Sequence, residues 1–357
     1  MVKFLMIIAL GIALAVIADC KVEPQNDDGK CVIEDNPFSG FLQWLSEETS
    51  APSVGKVVSF DLYSREMRNK FEWNGKGMST GFKPERKTVF IVHGFKQHGD
   101  KWWIKDMIDA YLELDDVNII VVDWKCYSDV VLFQYYKAVA KCKVTSSEIT
   151  KFIMRVVETY PQAQTWGNIH MIGHSLGAHV SGMTGRQLIS LKSKWRVARI
   201  TGLDPAEPCF ASTGLALNKN DAPFVDVVHS NGGTLGLMNA IGHMDFYPNG
   251  GQRQPGCFYS GIFPAICNHI RAFQYFIESL QLVAQKSKKK FWGHKWNFSR
   301  NQAISLLGRA CNSNECVEMG INADKYERKG IFFVTTASAA PYVDPGLLDL
   351  VAIKLIM

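Results

Sequence analysis

From Lys87 onward the chain alternates near-continuous apolar runs with amphipathic stretches, and this alternation is the tightest constraint on its fold. "TVFIVHGF" (Thr88–Phe95), "VNIIVVDW" (Val117–Trp124) and "NIHMIGH" (Asn168–His174) read as strands, and "WRVARITGLD" and "APFVDVVHS" supply two more. Between them, "GDKWWIKDMIDAYLEL" (Gly99–Leu114) reads as a helix. So does "TSSEITKFIMRVVETY" (Thr145–Tyr160), with Ser/Glu capping chemistry at its start and Pro161 after its end. Strands that are apolar throughout suit burial on both faces, and their alternation with helices implies parallel βαβ units in a doubly wound sheet. No repeat and no long Pro/Ser linker interrupts the pattern. One catalytic-sized domain is therefore expected over residues 37–344, followed by an apolar tail, 345–357, that either docks on the domain or frays.

The N-terminus carries one lysine, an apolar run from Phe4 to Ile17, and small residues at Ala15 and Ala18. The run is too short to span a bilayer comfortably, so residues 1–18 read as a signal peptide and 19–36 as an N-terminal segment of the mature, secreted chain. Cleavage after Cys20 is the alternative. Export makes the nine cysteines a disulfide framework, and none shows zinc-like pair spacing. The formal charge of +5 falls far short of a nucleic-acid-binding signature. Asn297 opens an N-x-S sequon and is a glycosylation candidate. The run "QKSKKKFWGHKW" (Gln285–Trp296) is either a solvated loop or an anchor to an anionic lipid interface.

Chemistry concentrates in "IHMIGHSLGAHVSG". A serine hydroxyl is a poor nucleophile without a base to take its proton and a third group to orient that base. Ser175 stands between Gly173 and Gly177, after a strand and before a helical run, as a sharp strand-to-helix nucleophile turn requires. The chain order on such a sheet is serine, acid, histidine. Asp204 in "TGLDPAEP" ends a predicted strand and is the candidate acid, with Asp226 and Asp245 as competitors. His269 in "CNHIRAF" is the candidate base, with His229 and His243 as weaker rivals. Histidines adjacent to the serine in sequence (His170, His174, His179) are poorly placed to fold back on it. An oxyanion site needs two backbone N–H groups, and Leu176, after the serine, and Phe95, in the loop after an early strand, are the expected donors.

In order, "VHGF", "VDW", "GHSLGAHVSG", "GLDPAEPCF", "FVDVVHS", "GHMDFYPNGG", "PGC" and "CNHIRAF" closely resemble the secreted animal lipases of the pancreatic lipase family, over about Phe38 to Tyr342. The resemblance implies an α/β-hydrolase fold and an ester hydrolase using Ser175, Asp204 and His269, with Phe95 and Leu176 as oxyanion donors and no cofactor. It also implies disulfides Cys257–Cys267, Cys311–Cys316, Cys126–Cys142 and Cys20–Cys31, with Cys209 left as a free thiol.

Departures from the family pattern narrow the expected substrate. No C-terminal β-sandwich like that of the triacylglycerol lipases is expected, so no colipase partner is expected either, and the protein is read as a monomer. The lid between Cys257 and Cys267 is only "FYSGIFPAI", and the loop "NGGTLGLMNAI" before "GHMDF" is short as well. Both are shortened in family members that behave as phospholipase A1, including those of wasp venoms. An uncovered cleft admits a bulky zwitterionic head group, so the expected activity is hydrolysis of the sn-1 acyl ester of phospholipids at a membrane or micelle surface. The alternative is a triacylglycerol or galactolipid lipase. A non-catalytic lipid-binding or yolk-type protein is disfavoured because all three triad residues are present. Phe258, Ile262, Phe263 and Ile266 either touch lipid or pack inward. A calcium loop is poorly supported, because Asp221 stands with Asn218 where a second acid is expected.

Overall fold

The computed structural model describes residues 57–75, 81–163, 168–211, 214–258, 263–312 and 314–357. The signal peptide, the 19–36 segment, the Cys20–Cys31 pairing and Ile262 lie outside the described residues.

Among the described residues eleven strands join one sheet: β1 (Ser59–Tyr63), β2 (Phe71–Glu72), β3 (Thr88–Val92), β4 (Asn118–Asp123), β5 (Ile169–His174), β6 (Val197–Leu203), β7 (Phe224–Val228), β8 (Met244–Pro248), β9 (Trp292–Lys295), β10 (Val317–Glu318) and β11 (Gly330–Val334). Their spatial order is β10-β9-β11-β8-β7-β6-β5-β3-β4-β1-β2. The seven central strands from β4 to β11 are parallel, while β1, β2, β9 and β10 pair antiparallel at the two edges. This is the expected α/β-hydrolase architecture. Strand β3 leads to β4 on one side, and the chain then crosses back to place β5 on the other, so the topological switch lies between β3 and β5. Open α/β sheets bind ligands outside the carboxyl ends of the strands at such a point.

Helices cover both faces: α1 (Trp102–Leu114), α2 (Lys125–Ser128), α3 (Tyr135–Thr159), α4 (Leu176–Ser190), α5 (Pro264–Ala284), α6 (Arg300–Leu306) and α7 (Leu347–Ile356). On β3 the fully buried side chains alternate, Val89 and Ile91 toward one face, Phe90 and Val92 toward the other. The first pair meets α1 and α5 through Trp103, Met107, Phe273 and Phe276. The second joins the cluster containing α3 and α4 through Ile149, Phe152, Val180 and Met183. A smaller cluster at the β8–β11 end holds Tyr247, Phe333 and Ile353. Ile353 belongs to α7, so the apolar tail docks as a helix.

Two local expectations are corrected. Helix α3 begins at Tyr135, ten residues before the expected start, because Thr145, Ser146 and Ser147 do not cap it. Their hydroxyls donate to the Lys141 and Lys143 carbonyls within the helix. The same extension turns Cys142 into the core as a free, fully buried thiol whose Sγ contacts the Ala138 carbonyl, so the Cys126–Cys142 pairing does not form. Cys126 and Cys209 are both disulfide-bonded, which also removes Cys209 as the free thiol. Burial pushes the Cys142 thiol far above its ordinary range, leaving it inert. The Cys257–Cys267 and Cys311–Cys316 bridges are formed.

On β1, Asp61 is almost fully buried, 3.0 Å from Lys70. Burial pushes its carboxyl up to about 6, and the Lys70 ammonium offsets this only in part. A carboxyl raised above its unfolded value contributes stability below that value and loses it as pH climbs through the folded pKa. Asp61→Asn is therefore expected to gain stability relative to the native protein between pH 4 and pH 7, by about 1–3 kcal/mol. Parallel urea titrations at the two pH values check this; a constant difference would show that the carboxyl does not titrate there.

Candidate active site

Strand β5 passes directly into α4 through Ser175, whose φ of 57° and ψ of −121° lie where a side chain is strained. Such a conformation persists only when the surroundings over-determine it. Here the neighbours do so by leaving no room. A Cβ on Gly177 would collide with the Val92 carbonyl oxygen of β3, and one on Gly173 with the Gly177 carbonyl. The two glycines let α4 settle against β3 and β5. The Ser175 N–H is tied to the Leu203 carbonyl at the end of β6 (3.0 Å).

Leu203 is followed by Asp204, buried at the carboxyl end of β6 with φ 44°. One carboxylate oxygen, Oδ1, accepts the N–H groups of Ser230 (2.7 Å) and Asn231 (3.0 Å); the other lies 2.5 Å from His269 Nδ1. A carboxylate at Nδ1 requires the proton there and leaves Nε2 as the basic nitrogen. His269 sits in the second turn of α5, which Pro264 starts. Among the described residues neither His269 Nε2 nor the Ser175 hydroxyl makes a hydrogen bond, so both are unspent toward the cleft.

The competing acids and bases have other partners. Asp226 holds Arg199 through two contacts of 2.8 and 2.9 Å, and Asp245 accepts from the Ile241 and Gly242 N–H groups and lies 3.0 Å from His229 Nε2. His243 Nδ1 accepts the Val225 N–H, His170 bridges Tyr111 and Thr201, and His179 binds the Ala206 carbonyl.

The expected oxyanion donors flank the serine. Leu176 is the first residue of α4, where backbone N–H groups have no intrahelical acceptor and the helix dipole is positive. Phe95 follows Gly94, which touches the serine so closely that a Cβ there would meet Ser175 Cβ at 2.7 Å. The loop carrying Phe95 is fixed by groups that sequence reasoning did not single out. His93 Nε2 lies 3.1 Å from Asp123 Oδ1 at the end of β4, the Trp124 indole donates to the His93 carbonyl (2.9 Å), and Gln97 Oε1 accepts the Gly94 N–H (3.1 Å). Burial alone would raise the Asp123 carboxyl, but His93 and the Lys125 and Gly99 N–H groups hold it well below the ordinary range. The sequence signal for Asp123 was present: it ends a strand at the same sheet edge as Asp204.

His174 was also missed as a site neighbour. Its ring lies 4.5 Å from that of His269, with Nε2 3.3 Å from the His269 carbonyl. Burial, reinforced by the neighbouring His269, holds its pKa well below the usual imidazole value, so it stays neutral. A charged His174 would oppose the imidazolium that a working base must become. The loop 231–241 supports the acid: a Cβ on Gly236 would strike the Asp204 carboxylate, and Asn231 supplies one of its hydrogen bonds. At the lid, Phe258, Phe263 and Ile266 all face solvent.

A family model described as Lipase matches residues 31–342. The chain belongs to the lipase family. It is 34% identical over 327 residues to pancreatic triacylglycerol lipase of Myocastor coypus, covering 84% of this chain and 68% of that protein. Against the human pancreatic triacylglycerol lipase it is 32% identical, with 84% and 66% covered. Against mouse pancreatic lipase-related protein 2 it is 32% identical, with 87% and 68% covered. The chain thus spans about two thirds of the length of these relatives. This lipase-family chain is a lipid ester hydrolase of the pancreatic lipase type.

Within it, Asp221 is committed to protein. Arg186 donates to both of its carboxylate oxygens (2.9 and 3.1 Å), and the Asn218 N–H donates as well (3.0 Å). A guanidinium thus occupies the carboxylate that a calcium loop would need free. His294 lies beside the sulfurs of Cys311 and Cys316, which are spent on their bridge.

The crowding at the nucleophile turn makes a sharp prediction. Gly177→Ala is expected to lose more than about 3 kcal/mol of stability, because backbone rather than a flexible side chain must move. Gly214→Ala, with nothing within 4 Å of the added carbon, is the neutral control. Equal melting temperatures for the two variants would show that the helix accommodates the methyl group.

Proposed function

We propose that the protein is an exported phospholipase A1, hydrolysing the sn-1 acyl ester of phospholipids through Ser175, His269 and Asp204. The observation that carries this reading is the small lid. The Cys257–Cys267 bridge closes a ring with a sequence separation of 10, and its flanking Phe258, Phe263 and Ile266 face outward. A lid of this length is expected to give a zwitterionic head group access to the cleft. A second reading, a triacylglycerol lipase, is favoured by the names of two of the relatives described above.

In the proposed reaction Ser175 Oγ attacks the ester carbonyl as His269 Nε2 takes its proton. The Asp204 carboxylate, already bound by two backbone N–H groups, holds Nδ1 and stabilises the imidazolium. The Phe95 and Leu176 N–H groups receive the oxyanion. Collapse expels the lysophospholipid alcohol, protonated by His269, and leaves an acyl-enzyme. Water deprotonated by His269 then attacks the acyl carbon, and the proton returns to Ser175 as the fatty acid leaves. The serine–histidine hydrogen bond, unformed in the free protein, is expected to tighten around substrate.

Export is supported by the N-terminal signal sequence and by disulfides among the described residues. No helix among them is long and apolar enough to cross a membrane. Asn297, exposed ahead of α6, is the proposed glycan site. The aromatic–cationic run 285–296 reads as structural rather than as a lipid anchor. Phe291 and Trp296 are buried, Lys289 and Lys290 pair with Asp344 and Glu318, and the run starts about 24 Å along the α5 axis from His269.

Ser175→Ala is expected to lower kcat by at least about 10³-fold while leaving the melting temperature within a few degrees. Retained turnover would remove the serine from the mechanism. Phosphatidylcholine with distinguishable acyl chains is expected to release the sn-1 acid first. Trioleoylglycerol cleaved much faster than phosphatidylcholine would decide for the triacylglycerol reading.

A further inference from the structure

Helix α7 exposes an apolar stripe that the catalytic reading does not use. Leu347, Leu348, Val351 and Leu355 are each between 51% and 85% exposed, and their spacing puts them on one helical face. The opposite series holds the helix to the protein: the Asp349 carboxylate accepts the Ser338 N–H (2.9 Å), Ile353 is fully buried, and Met357 packs on Gly250. The only acid of the helix is thereby turned inward, accepting the Gly346 N–H as well (2.9 Å). The stripe is left with a single charge, the exposed Lys354, whose carbonyl meets Arg300. An apolar stripe bordered by cations is the composition of a helix that lies in a lipid interface.

Its position ties it to the active-site end of the sheet. Gly250 lies in the turn that follows β8, and Ser338 follows β11, so both ends of α7 rest on segments leaving the carboxyl ends of strands. The Ser338 carbonyl also accepts from Arg271 (2.8 Å), two residues beyond His269, and Arg271 reaches the Pro255 carbonyl (3.2 Å) just before the lid bridge. Helix α7 and the lid base, with exposed Phe263 and Ile266, are thus fixed to each other through Ser338 and Arg271.

We infer that the α7 stripe is a lipid-docking surface that seats the enzyme on a phospholipid layer beside its cleft. The inference rests on the lipid-ester reading of the site, and it assigns α7 a contact independent of the catalytic groups. The occupant is a lipid surface because the substrates are themselves lipids, the stripe adjoins the lid base, Lys354 and Arg300 border its C-terminal end, and the exposed acid before it, Asp344, is paired with Lys289.

The test uses the full chain and the variant Leu348→Ser/Val351→Ser/Leu355→Ser, whose substituted side chains all face solvent. Binding is measured by co-sedimentation with vesicles of ether-linked phosphatidylcholine, which cannot be cleaved; activity is measured on the soluble ester p-nitrophenyl butyrate. The expected result is vesicle binding weakened about tenfold or more, with soluble-ester turnover unchanged. Unchanged vesicle binding overturns the inference, as does equal loss of soluble-ester turnover, which would make the stripe structural. A native dimer that the variant dissolves, with vesicle binding retained, also overturns it and assigns the stripe to a second copy. Native protein that binds vesicles through the stripe yet cleaves no ester would instead sink the hydrolase reading while leaving the docking surface standing.

Discussion

The close approach of α4 to β3 and β5 is the constraint on which the rest of the site depends. Gly173 and Gly177 remove the side-chain carbons that would otherwise collide with backbone carbonyls, and helix and sheet meet at a separation that other residues cannot reach. The strain of that turn is localised on Ser175, which projects from it at positive φ. Because β3 is part of the same contact, the loop after β3 is drawn against the serine and Gly94 becomes a third obligatory close contact. Ser175, the N-terminus of α4 and the Phe95 loop are consequently placed by one packing event.

The Asp204–His269 pair is built differently, from the segments that follow β6 and β7 and from the first turns of α5. Asp204 is buried, so its carboxylate must be paired, and Ser230, Asn231 and His269 divide its two oxygens. The 231–241 loop, read from its length as a determinant of substrate access, also holds the acid in place. A second buried pair, His93 with Asp123, braces the opposite wall of the cleft. Neutral His174 fills the space behind His269 without adding a positive charge.

The most legible parts of the sequence were those whose signal is local. Strands β3, β4 and β5 are buried on both faces and announce themselves as unbroken apolar runs. The elbow is visible because its steric demand falls on residues two positions from the serine. The short edge strands β2 and β10 carry only two residues each, too few for a periodic pattern. The start of helix α3 is hidden because Thr145, Ser146 and Ser147 resemble a cap in sequence while their hydroxyls bond back to the preceding turn. The state of Cys142 is hidden for the same reason: a helix beginning at Tyr135 points it into the core, away from any bridge.

By itself the sequence determined the fold class and the strand-to-helix turn at Ser175, because each depends on residue types at short, fixed spacings. Tertiary structure alone decided which of three aspartates meets His269, since Asp226 and Asp245 are excluded by the partners the sheet gives them, Arg199 and His229. It also decided that Asp221 answers to Arg186 and that the apolar tail is a helix with one face docked and one exposed. Burial and pairing are properties of neighbours distant in the chain, and no local pattern encodes them.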